Sequence, residues 1–365
     1  MQINKNKHYD VIFIGLGVSA IIFYLQHFKK FKGKSICFID KLSRFDLNKT
    51  ISGFASDIPL PVLKSFSKFN CQFGEEVKSY ETRIPYHILN LKQIFEDFQG
   101  KTQDCDFIFN SLIINVKREA KFIIDTGEMT FTAGKVFDSR APKLESNNIL
   151  RQHFLGWFVR FSSEHKISDP MLMDIDQESK DFCFTYIIPL SMNEALIELT
   201  YFGPQIFSKE QYEKTLRAYM DNKFKEMNYE VYNEESGAIP LLNIIPEFNV
   251  KDYHSLGIRN GYLRASTGYS VFQSLFEYRP NTLLQVMDEF LLKVLWISPN
   301  LGAKIFTIFL KKMNGDTLAN FMSYRPSFFS ILRAILAMPK LIFIKHLFRS
   351  SNGLRSRLKL RGMND

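Results

Sequence analysis

The chain has 365 residues, with 47 Lys and Arg against 38 Asp and Glu, for a formal net charge of +9. At roughly 150 residues per domain, that length suggests two domains, or one large domain carrying an insertion. A hydrophobic share of 45% with 23% charged residues excludes wholesale disorder, and four scattered cysteines without a CxxC or a histidine at ligand spacing argue against a disulfide scaffold or a metal site and for a reducing compartment.

The polar start, MQINKNKHYD, runs straight into a strand and shows no signal-peptide pattern. The apolar run Val11 to Ile14 then precedes Gly15-Leu16-Gly17-Val18-Ser19-Ala20, with a helical pattern from about Val18 to Phe28. A second buried strand, within Gly33 to Asp40, ends in an acid 23 residues beyond Gly17. Strand, glycine turn, helix, strand and acid form a dinucleotide fingerprint, with Ala20 in the third glycine position. Gly15 makes the tight turn, Gly17 lets the backbone approach a pyrophosphate, and Ala20 permits close helix–strand packing. The amides of Leu16, Val18 and Ser19 lie at the positive end of the helix, and Asp40 is placed to accept ribose hydroxyls. A glycine turn in a doubly wound sheet that binds nothing is the plain alternative.

Beyond Asp40 the pattern is irregular through Pro59 to Val62 and turns amphipathic from Tyr86 to Phe98. Short alternating runs with a turn at Thr126-Gly127 then read as a β-meander, which ends in a buried strand, Lys135 to Phe137. This order resembles FAD-dependent enzymes of the hydroxylase-like fold. Strand-like pieces and one helix between 150 and about 250 read as an inserted α+β sheet domain. A glycine-rich stretch from Ser255 leads into a helical C-terminal third. The expected class is therefore α/β: an FAD-binding Rossmann-type domain with an inserted substrate domain and a helical C-terminal region. Its segments are 1–50, 101–150 and 251–295 for the cofactor domain and 51–100 and 151–250 for the substrate domain. Residues 296–348 form a helical substrate- or membrane-facing region, and 349–365 a basic tail.

From Lys340 onward seven basic residues stand against one acid, Asp365, so the tail carries +6 of the net charge. The preceding run, Phe328 to Phe348, is apolar but broken by Arg333, Pro339, Lys340 and Lys345. It is too interrupted to span a bilayer and reads as a segment lying on an anionic membrane surface, or as a helix packed on the body with a solvated tail. The 36 phenylalanines suit a large apolar cavity, a membrane-facing surface or a rich core. Scattered basic residues without a binding motif give no support to nucleic acid as a partner.

Glu198 lies in the almost wholly apolar run Ala195 to Phe202, where a charge is expensive unless it is paired, neutral or functional. It reads either as an acid held neutral by burial or as a structural glutamate paired with a residue such as Arg160. Asp174, between Met173 and Ile175, is a candidate second buried carboxylate. Glu234 and Glu235, in the polar stretch NEESG, read as solvated loop acids. Ser266, Thr267 and Gly268, with Tyr269, bring amides and hydroxyls to the cofactor side or simply cap a helix.

Several blocks in order resemble the bacterial and plant lycopene cyclases: QHFLGWFVR (152–160), PMLMDID (170–176), FTYIIPLSMNEALIELTYF (184–202), EESGAIP (234–240) and GYLRASTGYSVF (261–272). Where that family usually has D-R-T-W-C-F-W, this chain has Asn48 to Phe54 without either tryptophan, and Leu199 stands where many members carry a second acid. The resemblance implies a non-redox enzyme with reduced FAD, supplied through NADPH or another reductant. It would close the end of lycopene or a related apolar carotene into a ring, on the cytoplasmic face of the inner membrane. It puts Glu198 at the family's essential glutamate. A flavin monooxygenase or polyprenyl reductase of the same fold, or a non-catalytic relative, are the other readings. The sequence leaves the oligomeric state open.

Overall fold

A computed structural model describes residues 7–45, 47–142, 149–243 and 251–343. The first elements are β1 (His8–Ile14), α1 (Val18–Phe31), β2 (Ile36–Ile39), β3 (Ser52–Phe54), β4 (Val62–Phe73), β5 (Glu76–Leu89) and α2 (Leu91–Lys101). β6 (Asp106–Ile108), β7 (Asn115–Arg118), β8 (Phe122–Asp125) and β9 (Thr130–Asp138) follow. The middle of the chain holds β10 (Arg151–Phe161), β11 (Met171–Ile175), β12 (Phe182–Pro189), β13 (Glu194–Gly203), α3 (Lys209–Lys223) and β14 (Tyr229–Pro240). Last come β15 (Tyr253–Ser255), α4 (Val271–Leu275), α5 (Thr282–Ile297), α6 (Gly302–Lys312), α7 (Gly315–Met322) and α8 (Phe328–Ala337).

Two sheets organise these elements. The first has the order β6-β2-β1-β9-β8-β7, with β15 also on β9. Its centre is parallel, β2 to β1 to β9, because α1 carries the chain back over one face. Val11, Ile12, Phe13 and Ile14 are all buried, as a strand covered on both faces requires. α1, α2 and α4 pack on one side in a cluster centred on Phe13, Tyr24, Phe38 and Phe98, while Ile12, Ile124 and Phe131 fill the other. The meander expected between 106 and 138 is present as β7–β9, and Gly127 supplies the left-handed turn at φ +83°.

The second sheet has eight strands in the order β14-β10-β13-β12-β11-β4-β5-β3. One face packs on α5 to α8 in the largest apolar cluster; the other, with Trp157, Ile197 and Leu199, packs on α3. A capping box between Ser208 and Gln211 starts α3. The stretch read as irregular up to Val62 holds β3, and the long hairpin β4–β5, turned at Gly74, follows it, unread in the sequence. Polar residues at alternate positions on β4 (Lys64, Lys68) mask its apolar face, and register shifts break the strict period of two. The segment 51–100 is divided: its strands join the second sheet, and α2 packs on α1. α5 likewise packs with the helical cluster against the second sheet. Among the described residues no single helix is long and apolar enough to cross a membrane; α5 and the segment 299–312 qualify together but bend by 116°. The basic tail lies outside the described residues.

Candidate active site

The glycine turn joins β1 to α1. Gly15 has φ +81°, and a Cβ there would lie 2.8 Å from Ser139 Oγ, so both backbone and space demand glycine. Gly17 is different. It caps α1 in an extended conformation, and a Cβ would meet nothing within 4 Å. In front of it α1 has no side-chain cap and no acid in its first turn, which leaves the donor end of the helix open to an anion. Asp40 follows the end of β2, and its carboxylate accepts from the Leu16 and Leu42 amides at 2.5 and 2.8 Å. Leu16 and Ala20 are buried behind the turn, and a Cβ on Gly257 would strike Ser19. An open cradle, a helix N-terminus without a side-chain cap and a carboxylate beside it suit the pyrophosphate and ribose of a dinucleotide.

A cavity of about 130 Å³ lies where the second sheet meets the segment leading to α4. Its walls include Ser52, Tyr86, Gln152, Tyr186, Glu198 and the turn Thr267-Gly268-Tyr269. Gly268 has φ +72° and packs against Gln152, whose buried Oε1 has no hydrogen-bond partner. A ring N–H of a flavin would satisfy that oxygen, which is a second feature fitting the cofactor. Ser266 is buried at the base of the same turn. The turn is a hydrogen-bonded loop closed on Arg264, whose carbonyl accepts from Thr267 and Gly268.

Strand alternation explains which acids reach the cavity. Even-numbered residues of β10 and β13 face it, while their odd-numbered neighbours face α3. Glu198 on β13 and Glu235 on β14 are both registered against Gly156 of β10, one from each side. Glu198 lines the cavity, and its Oε1 accepts from Thr200 Oγ1 at 2.9 Å. Burial, then the nearby charge of Glu235, pushes its pKa up to about 8, against the opposing pull of Thr200 and Lys49. Arg160, the partner considered for it from sequence, pairs instead with Glu194 at 2.8 Å.

Two expectations need correction. Asp174 does not reach the cavity: it accepts from Tyr219 at 2.7 Å and pairs with Lys223 at 2.9 Å, both on α3. Glu235 is no loop acid; it is 4% exposed, in a strand, and its Oε2 accepts the Thr50 amide at 2.6 Å. Its neighbour Glu234 points the other way, to Lys209. The period of two through Glu235, Gly237 and Ile239 was the available signal. Also missed were the cavity tyrosines Tyr86, whose hydroxyl lies 2.7 Å from Ser52 Oγ, and Tyr186; Tyr269, named with its turn, lines the same cavity. In the segment lacking tryptophans, Thr50, Ile51 and Ser52 line the cavity, and the Phe272 ring lies against Gly53 where a side chain would otherwise project.

These two sheets and the helical C-terminal region define a Rossmann-type flavoprotein fold. The chain is similar to the structure of a geranylgeranyl bacteriochlorophyll reductase-like protein from Thermoplasma acidophilum, at a TM-score of 0.58 and 13% identity over 94% of this chain and 99% of that one. It is also similar to the halogenase PltM, at a TM-score of 0.50 and 12% identity over 87% and 77% of the two chains. Residues 10–288 match the family described as lycopene cyclase protein, and the chain belongs to that family. No curated protein matches the chain.

Proposed function

We propose that this chain is a carotenoid cyclase that closes the acyclic end group of lycopene or a related carotene without net redox change. The observation that carries the reading is Glu198: a carboxyl whose pKa is raised to about 8, at the wall of a cavity rich in aromatic rings. Cyclisation needs an acid that is neutral near pH 7, and burial provides one. The Glu198 proton goes to one carbon of the terminal C=C bond, and the cation formed is attacked by the neighbouring alkene, making the ring C–C bond. Loss of a proton from the carbon beside the new cation leaves the ring double bond, so protons balance. Thr200 donates to Oε1 and so leaves Oε2 as the oxygen that carries the proton. Tyr86, Tyr186, Tyr269 and Phe154 offer ring faces to positive charge and keep water out.

FAD would be held by Gly15, Leu16, Gly17, Val18, Ser19, Ala20 and Asp40, and on the cavity side by Ser266, Thr267 and Gly268. Reduced flavin, when bound, supplies negative charge that stabilises a cation, and NADPH is the proposed source of its electrons. The chain works on the cytoplasmic face of the inner membrane. Support comes from α8, where Phe328, Phe329, Leu332 and Leu336 are exposed, and from the basic tail that follows.

The test is anaerobic incubation of purified protein with lycopene, FAD and dithionite, followed by pigment chromatography. A cyclase makes cyclic carotene and uses no reductant per turnover. Saturated or oxygenated product formed with stoichiometric reductant, the latter once oxygen is admitted, would identify a polyprenyl reductase or monooxygenase of the same fold instead. Untouched lycopene would defeat the reading.

A further inference from the structure

We propose that Glu198 and Glu235 form one carboxyl pair sharing a single proton across Gly156, with Glu235 the positioning residue that keeps the proton on Glu198. The inference rests on the reading of Glu198 as the acid of cyclisation.

The pair is built by the sheet. β10 runs between β13 and β14, and its Gly156 is registered against Glu198 on one side and Glu235 on the other. All three residues therefore project on the same face, in one row. A side chain at 156 would stand between the two acids: a Cβ there would lie 3.1 Å from Glu235 Cγ and 3.4 Å from Glu198 Cβ. Glycine is what leaves the space between the two side chains open. Elsewhere on this face β10 carries Gln152, Phe154 and Phe158, so the gap at 156 is local.

The environments of the two acids differ, and the difference assigns the proton. Glu235 accepts the Thr50 amide at 2.6 Å, a bond that favours its charged form. Lys49, on the same segment, donates to Ser236 O, and its charge pulls the Glu198 pKa down, opposing the pair's repulsion. The other groups facing Glu198 are neutral: Thr200 on its own strand β13, Tyr86 from β5, Tyr186 from β12 and Tyr269 from the turn. With Glu235 charged, a second charge on Glu198 meets like-charge repulsion in a desolvated site, so one proton stays. When Glu198 gives that proton to the alkene carbon, two carboxylates are left facing each other. Uptake of the proton lost from the carbon beside the ring cation restores the singly protonated pair. The cycle then needs no proton from solvent.

Infrared difference spectroscopy of the substrate-free protein, wild type against Glu198→Gln, would read the Glu198 carboxyl directly. Its neutral-acid carbonyl band should disappear with a midpoint near 8 as pH rises. In a Glu235→Gln background the midpoint should fall by about one unit or more, whereas Glu235→Asp should hold it nearer the wild-type value. The alkaline limb of the cyclisation pH profile should move in parallel. Gly156→Ala, which puts a methyl between the two acidic side chains, serves if Glu235→Gln does not fold, and should lower the midpoint too. An unchanged midpoint in a folded variant would overturn the pair while leaving the cyclase reading intact. A shifted midpoint in protein that never cyclises lycopene would leave the pair standing and sink the cyclase reading.

Discussion

Gly15 and Gly17 differ by two positions and by their physical task. At Gly17 the backbone is extended and the space ahead is empty of protein atoms, so Gly17→Val costs the fold little. The branched side chain would fill the place proposed for a pyrophosphate. Purified Gly17→Val protein should keep its circular dichroism and lose flavin absorbance; retained flavin would show that this loop does not hold it. At Gly15, φ +81° and contact with Ser139 make the same change destabilising. Glu198→Gln keeps shape and removes the acid. Carotene output in a lycopene-accumulating host should fall at least ~10²–10⁴-fold, with Glu198→Asp partly active. Stability supplies an independent readout. An ordinary glutamate loses its proton near 4.5, whereas folded Glu198 keeps it to about 8. Between those values the folded protein binds a proton the unfolded chain does not, so this group's effect is to lower stability as pH rises through that window. Glutamine has no such titration, so the Tm of Glu198→Gln relative to wild type should climb from pH 4.5 to 8. A constant difference would mean Glu198 titrates normally.

At the scale of elements, α8 is the informative helix. Ser327 caps it, Ile331 and Ala334 anchor its inner face, and its outer face carries Phe328 at 72% and Phe329 at 58% exposure. Apolar surface of that kind ahead of a basic tail suits an anionic bilayer. Replacing Phe328, Phe329 and Leu336 by serine should weaken binding to phosphatidylglycerol vesicles at every salt concentration. Deleting 349–365 should remove mainly the salt-sensitive part, ~1 kcal/mol per basic residue near the surface. Flotation unchanged by both alterations would place membrane contact elsewhere.

For the whole molecule, the buried pair Arg264–Asp288 joins the cavity to the helical region. Both residues are 2% exposed; Arg264 Nε lies 3.0 Å from Asp288 on α5, and Nη1 donates to Phe321 O on α7 at 2.8 Å. Its backbone closes the turn that carries Thr267, Gly268 and Tyr269. Asp288→Ala would strand a buried guanidinium, so unfolding free energy should drop by about 3–5 kcal/mol, read as a lower urea midpoint. A change below 1 kcal/mol would mean water reaches the pair.

Local spacing by itself determined the turn at Gly15 and Gly17, the helix after it, the acid at Asp40 and the meander to Asp138. Each depends on contacts within one βαβ unit or one hairpin, where a few backbone angles set the outcome. The unusual apolar setting of Glu198 was equally legible, because the almost wholly apolar run from Ala195 to Phe202 is written in neighbouring residues. Tertiary structure decided the rest. Asp174 sits in a similar apolar run, but a lysine 49 positions away on α3 takes its charge. Glu235 stands in a polar stretch, yet pairing of β14 with β10 turns it inward and Glu234 outward. Whether a carboxyl is solvated, paired or held neutral depends on what packs opposite it, and that is set by strand register between segments far apart in the chain.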